Sequence, residues 1–121
     1  MSVSPVRLDA EETLRLVLAE LDEMKAEDTT SLDLRRKSSI ADFMVVTSGR
    51  SNRHVGAVAD RVMEKLRGAG LSVRVEGMPH CDWVLIDAGD VIVNVFRPEV
   101  RAFYNLEKMW AGRQGDERRA G

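Results

Sequence analysis

The stretch DFMVVTSGRSNRHVGAVADRVMEKL, residues 42–66, changes its period midway. As far as Ser48 it is a dense apolar run rich in β-branched residues, suited to an inner strand. Gly49 to Ser51 form a small polar elbow. Beyond it, Val55, Val58, Ala59, Val62 and Leu66 recur on one face of a helix, which Ser51 or Asn52 can cap. Gly68 and Gly70 stop that helix, because left-handed C-cap positions favour glycine. Many phosphate sites are built as a strand, an elbow and a helix N-terminus. The stretch therefore poses a choice between nucleotide chemistry and another use of the same architecture.

Upstream, LDAEETLRLVLAELDEMKAE (8–27) opens with Asp9 followed three residues later by Glu12, a capping-box pattern. Leu14, Val17, Leu18, Leu21 and Met24 then share a face, which predicts a helix from about Ala10 to Lys25. TTSLDLRR (29–36) alternates Leu32 and Leu34 with polar residues, as a half-buried strand does. Downstream, LSVRVEG (71–77) is a third strand, and WVLIDAGDVIVNVF (83–96) is a hairpin around Gly89.

With a two-residue loop, the hairpin's alternation puts Val84, Ile86, Val91, Val93 and Val95 on one apolar face, which should lie against helices. Trp83, Leu85, Asp87, Ile92, Asn94 and Phe96 form a mixed face. A three-residue bulged loop would flip one strand and undo this. Pro98 suits the first turn of a last helix, where its missing N–H is no loss; Val100, Phe103 and one of Tyr104 or Leu106 can face the core.

The fold class expected is α/β (α+β): a mixed sheet of about five strands flanked by helices, in the order αββαβββα. Residues 1–8 are expected to be a flexible N-terminus, 9–111 a single domain and 112–121, Gly-rich and charged, a disordered tail.

The 121 residues, 44% hydrophobic and 31% charged, suit one soluble core. No apolar run is long enough to span a bilayer, and no basic-then-apolar leader begins the chain. The lone Cys81 rules out an internal disulfide, so a cytoplasmic location is expected. A net charge of −2 speaks against wrapping DNA or RNA by counterion release. A protein partner or small ligand fits better.

Three chemistries are weighed against blander readings. At the elbow, Arg50, Ser51 and Arg53 could meet an anion or RNA phosphate, with His54 adding charge, but SGRSNRH lacks the glycine spacing of either known phosphate loop. Its simplest reading is a capped turn. Two-metal phosphoryl transfer needs D-x-D on one strand face, and none follows the elbow. His80, Cys81 and Asp82 cluster, yet two histidines and one cysteine cannot complete a structural zinc site. Cys81 as a nucleophile is open, though an inert thiol is the commoner outcome. No cofactor or metal is expected.

The aromatics say more. Of six in the chain, Trp83, Phe103, Tyr104 and Trp110 fall on the hairpin's mixed face or the last helix, near Asp82, Asp87, Glu99 and Glu107. Rings with a polar rim make a protein-binding patch. Some of these rings, Phe103 above all, can instead belong to the core.

The blocks ADFMVVTSGRSNRHVGAVADRVMEKL, WVLIDAGDVIVNVF and RAFYNLEKMW, in that order, resemble the ribosomal silencing factor S or Iojap-like family. The resemblance spans about Ala10 to Trp110. It implies a nucleotidyltransferase-like core without catalytic carboxylates, no enzyme activity, and a homodimer when free. It implies binding to the large ribosomal subunit through its fourteenth protein, at the face that meets the small subunit, so that subunit joining is blocked and translation falls when nutrients are scarce. Carried over by motif, Trp83, Tyr104, Leu106 and Glu107 would contact the ribosomal protein, with Asp82, Asp87 and Trp110 around them. The elbow is expected on the far side of the molecule. One departure is Asn94, where the family commonly has histidine. The alternative is a nucleotide-binding or nucleotidyltransferase-like enzyme using Thr47 to Asp60.

Overall fold

A computed structural model describes residues 8–78 and 80–100. Its elements are α1 (Ala10–Glu23), β1 (Glu27–Asp33), β2 (Phe43–Ser48), α2 (Asn52–Gly68), β3 (Arg74–Glu76), β4 (Trp83–Asp87) and β5 (Val91–Phe96). This is the expected α+β order through β5, and residues 98–100 are helical, with Pro98 first. The expectations for residues 1–7, for Phe103 and for the 112–121 tail lie outside the described residues.

The local signals act as the sequence suggests. The Asp9 carboxylate accepts from the Glu12 N–H at 2.7 Å, and Glu12 accepts from the Asp9 N–H at 3.0 Å, closing the capping box. The helix ends at Glu23, two residues short of expectation, because Lys25 turns to φ +59°. Ser51, not Asn52, caps α2, accepting from the His54 N–H at 3.1 Å. The hairpin closes with two loop residues, Gly89 and Asp90: Asp87 faces Ile92, and the Ala88 N–H reaches the Val91 carbonyl. Gly89 takes φ +90°, a conformation that suits glycine.

The sheet order is β1-β2-β5-β4-β3. The central pair, β2 and β5, is parallel, and every other pair is antiparallel. β5 inserts between β2 and β4, so the chain leaving β2 through α2 crosses two strands to reach the far edge at β3. Both helices pack on one face. There the predicted stripes of α1 and α2 meet Val84, Ile86, Val91, Val93 and Val95, as the hairpin alternation requires. Between the helices Glu20, nearly buried, has Arg61 at 3.2 Å and Lys65 at 3.9 Å, so its charge is offset where water is scarce.

The hairpin's mixed face departs from the picture of an open aromatic patch. Phe96 and Asn94 are fully buried there and Ile92 nearly so. Leu34, Met44, Val46 and Phe96 form a second core cluster, against which Leu32, Trp83 and Val100 pack. β2 and β5 are buried along their whole length, as expected of central strands covered on both faces. Among the described residues, no helix is long and apolar enough to cross a membrane.

Candidate functional site

Because β2 and β5 run parallel, their C-terminal ends lie together, and the chain leaves both at one edge of the sheet. In open α/β sheets that edge is where ligands usually bind. Here it gathers the elbow, the start of β4 and the residues after β5. The Gly49 N–H donates to the Phe96 carbonyl at 2.8 Å, joining elbow to β5. Asn52 Nδ2, in the first turn of α2, donates to the His80 carbonyl at 2.8 Å and to Asp82 Oδ1 at 2.9 Å. Asp82 also has the Arg97 guanidinium at 3.1 Å. The elbow is thus not on the far side of the molecule from Trp83, but clamped next to it by Asn52, Asp82 and Arg97.

Trp83 opens β4 opposite Phe96, their ring centroids 4.9 Å apart and tilted by 34°. Its indole Nε1–H donates to Asn94 Oδ1 at 2.9 Å. Asn94 lies two residues before Phe96, so this is a diagonal cross-strand pair on the same face. The tryptophan is half-buried and its polar handle is satisfied inside the protein. Asn94 Nδ2, on the same fully buried side chain, has no partner among the described residues.

The predicted acidic rim does not form one patch within the described residues. Asp82 sits beside Arg97, and Glu99 lies 3.7 Å from the same arginine. Asp87 is at the opposite end of β4, about 17 Å along the strand. Its Oδ1 accepts from the Gly89 N–H at 2.9 Å, bracing the hairpin turn. Tyr104, Leu106, Glu107 and Trp110 lie outside the described residues.

At the elbow, the groups a phosphate would need are already engaged. The Arg50 N–H donates to His54 Nδ1 at 3.0 Å, and His54 Nε2 lies 2.8 Å from the Met24 carbonyl. The first nitrogen must accept and the second must donate, so this geometry uses the neutral ring. His54 ties the elbow to the end of α1. The Ser51 hydroxyl is the helix cap. A side chain on Gly49 would meet Val55 Cγ2 at 2.8 Å and Val55 N at 2.9 Å, so the glycine lets the elbow lie on its own helix. The Arg50 and Arg53 side chains are exposed.

Cys81 is held as a thiol. Its Sγ–H donates to the Met78 carbonyl at 2.7 Å, and burial, with Asp60 and Asp82 nearby, raises its pKa. A raised pKa removes thiolate and with it nucleophilicity. Among the described residues no three His, Cys, Asp or Glu side chains are placed to hold a metal.

Asn52, Arg97 and Asn94 carry this edge, and sequence reasoning gave none of them its role. Asn52 read as an alternative cap; its partners lie about thirty residues away.

A family model described as ribosomal silencing factor during starvation matches residues 7–120. The ribosomal silencing factor RsfS of Zymomonas mobilis is 50% identical over 110 residues, covering 90% of this chain and 81% of that protein. The RsfS of Halalkalibacterium halodurans is 41% identical over 101 residues, covering 83% and 86%. A crystal structure of a Chromobacterium violaceum protein superposes with a TM-score of 0.83 at 38% identity, covering 86% of this chain and 88% of that one.

Proposed function

Since this chain belongs to the ribosomal silencing factor (RsfS) family, and so to ribosome-associated silencing of translation, we propose that it acts as a steric plug on the large ribosomal subunit. It binds the fourteenth protein of that subunit and occupies the surface the small subunit needs. The action is mass action on a shared surface and uses no catalysis, cofactor or metal. It takes place in the cytoplasm, and the free protein is a homodimer.

The observation that carries this reading is the seating of Trp83. Its ring is held against Phe96 and by Asn94 Oδ1, half-buried at the end of the sheet that also gathers the elbow. A preset aromatic ring is the kind of anchor that dominates protein interfaces. Tyr104, Leu106 and Glu107 complete the contact, with Asp82 and Trp110 at its rim; Asp87, at the far end of β4, lies outside it. A net charge of −2 favours approach to a basic ribosomal protein. Nothing at the elbow favours the nucleotide reading, as the Ser51 hydroxyl and the Arg50 N–H are already bonded.

The test is co-sedimentation with purified large subunits, alongside a subunit-joining assay. Trp83→Ala or Tyr104→Ala should weaken binding by about 2 kcal/mol or more, roughly thirtyfold, while leaving the circular dichroism spectrum unchanged. Wild-type protein in excess should suppress joining. Normal sedimentation by both variants, or undiminished joining, refutes the reading.

A further inference from the structure

The β4–β5 ladder pins β4 from Trp83 onward, where the tryptophan pairs with Phe96. The residues just before Trp83 carry a second set of constraints that the ladder does not need. Asn52 Nδ2 donates to the His80 carbonyl at 2.8 Å and to Asp82 Oδ1 at 2.9 Å, and lies 3.4 Å from the Cys81 carbonyl. From the other side the Arg97 N–H donates to the Asp82 carbonyl at 3.1 Å, and Arg97 Nε is 3.1 Å from Asp82 Oδ1. Cys81 is closed onto the same loop: its N–H donates to the Gly77 carbonyl at 3.0 Å and its thiol to the Met78 carbonyl at 2.7 Å. A side chain on Gly77 would collide with the Trp83 carbonyl, so the loop lies directly on the main chain of the tryptophan.

The segment is also strained. Three described residues that bear a side chain take left-handed backbone. Lys25 follows the end of α1 and Asp28 lies in the irregularity of β1, both ordinary places for it. The third is Cys81, at φ +57°. A residue with a Cβ is disfavoured there, and such strain persists only where the surroundings over-determine it. The surroundings here are the bonds made by Asn52 and by Cys81 itself. Asn52 is exposed, and an exposed hydrogen bond replaces bonds to water at small net gain. The arrangement is thus a weak stabiliser of the fold. What it fixes is the position of residues 80–82, and with them the point from which Trp83 enters β4. An anchor set in place beforehand loses less freedom on binding.

We infer that Asn52, with Arg97, is a positioning residue for the Trp83 contact. Neither has to touch the partner; together they hold the segment before β4 in the conformation from which Trp83 binds. This role rests on Trp83 being the anchor on the large subunit. It also accounts for Asn52, which the helix does not need as its cap because Ser51 serves there.

The test is a double-mutant cycle in large-subunit binding, with wild type, Asn52→Ala, Trp83→Ala and the two combined. Ser51 still caps α2 in Asn52→Ala, so the helix start is kept. Asn52→Ala should weaken binding about two- to twelvefold in the wild-type background, and by less than about twofold where Trp83 is already gone. Arg97→Gln, which keeps the main-chain bond, should follow the same pattern. In free Asn52→Ala, amide exchange should quicken at Arg97, whose N–H is held by the Asp82 carbonyl. It should not quicken at Leu34, whose N–H is held by the Asp42 carbonyl at the other end of the sheet. Equal losses in both backgrounds, which mark a direct contact or a general loosening, overturn the positioning role; so do an unchanged affinity and an exchange rate that rises at both amides or at neither. Those results leave the large-subunit reading intact. Absence of wild-type binding, or full binding by Trp83→Ala, overturns that reading and the positioning role with it.

Discussion

Replacing Asn94 with leucine separates the two roles that β5 residue combines. Asn94 is fully buried; its Oδ1 takes the Trp83 indole N–H at 2.9 Å, and its Nδ2 has no partner among the described residues. Leucine has a similar volume, so no large cavity opens. Losing the hydrogen bond costs about 0.5–1.5 kcal/mol, and leaving a half-buried indole N–H unmatched adds about 1 kcal/mol. Removing a buried amide whose NH₂ is unpaired returns about 1–3 kcal/mol. The terms cancel to within about 1.5 kcal/mol, so thermal unfolding should shift by no more than about 12 °C. Affinity should respond differently. Without Asn94 the indole regains freedom that binding must remove, at about 0.5–1.5 kcal/mol, a two- to twelvefold loss. Differential scanning calorimetry and a titration against large subunits read the two quantities separately. Wild-type affinity in the leucine variant, or a stability loss above about 3 kcal/mol, would refute the view that Asn94 positions the ring at little net cost to the fold.

Three further outcomes follow from the geometry. Gly49→Ala should lose about 1–3 kcal/mol in urea unfolding, because the new methyl must push against Val55 at 2.8–2.9 Å; an unchanged midpoint would mean that the elbow is slack. Hydrogen bonds from Arg35 hold the Asp33 carboxyl at about 2, below its ordinary 3.8. A depressed acid stabilises the native state in full above about pH 4, and this contribution is lost as pH falls through about 2. The stability gap between wild type and Asp33→Asn should therefore narrow over that window; a gap constant down to pH 2 refutes the fork. Cys81 should alkylate slowly with iodoacetamide at pH 7 and rapidly once the protein is unfolded in urea; equal rates would contradict a half-buried, hydrogen-bonded thiol with a raised pKa.

How far the chain can be read without coordinates depends on the range of the forces involved. Helix caps join residues three apart, and apolar periodicity runs over a few turns. Asp9, Ser51 and the stripes of α1 and α2 were accordingly legible, and so were the two faces of the hairpin once its loop length was taken as two. At the candidate site, Trp83 could be singled out as a ring on a mixed strand face. Its burial against Phe96 and its bond to Asn94 could not, since alternation says which face a residue takes and not what covers that face. Asp82 shows the same distance effect: a formal charge is read residue by residue, whereas the Arg97 cation beside Asp82 is brought in from the end of β5.

What the sequence alone determined is therefore the inventory: which segments are helix or strand, which side of each is apolar, and which family the three motif blocks resemble. The tertiary structure decided the arrangement. It inserted β5 between β2 and β4 and put the elbow and Trp83 together at one end of the sheet. Strand pairing is chosen by burial and hydrogen bonding summed over the whole sheet, among residues dozens of positions apart, and no short window of sequence contains that sum.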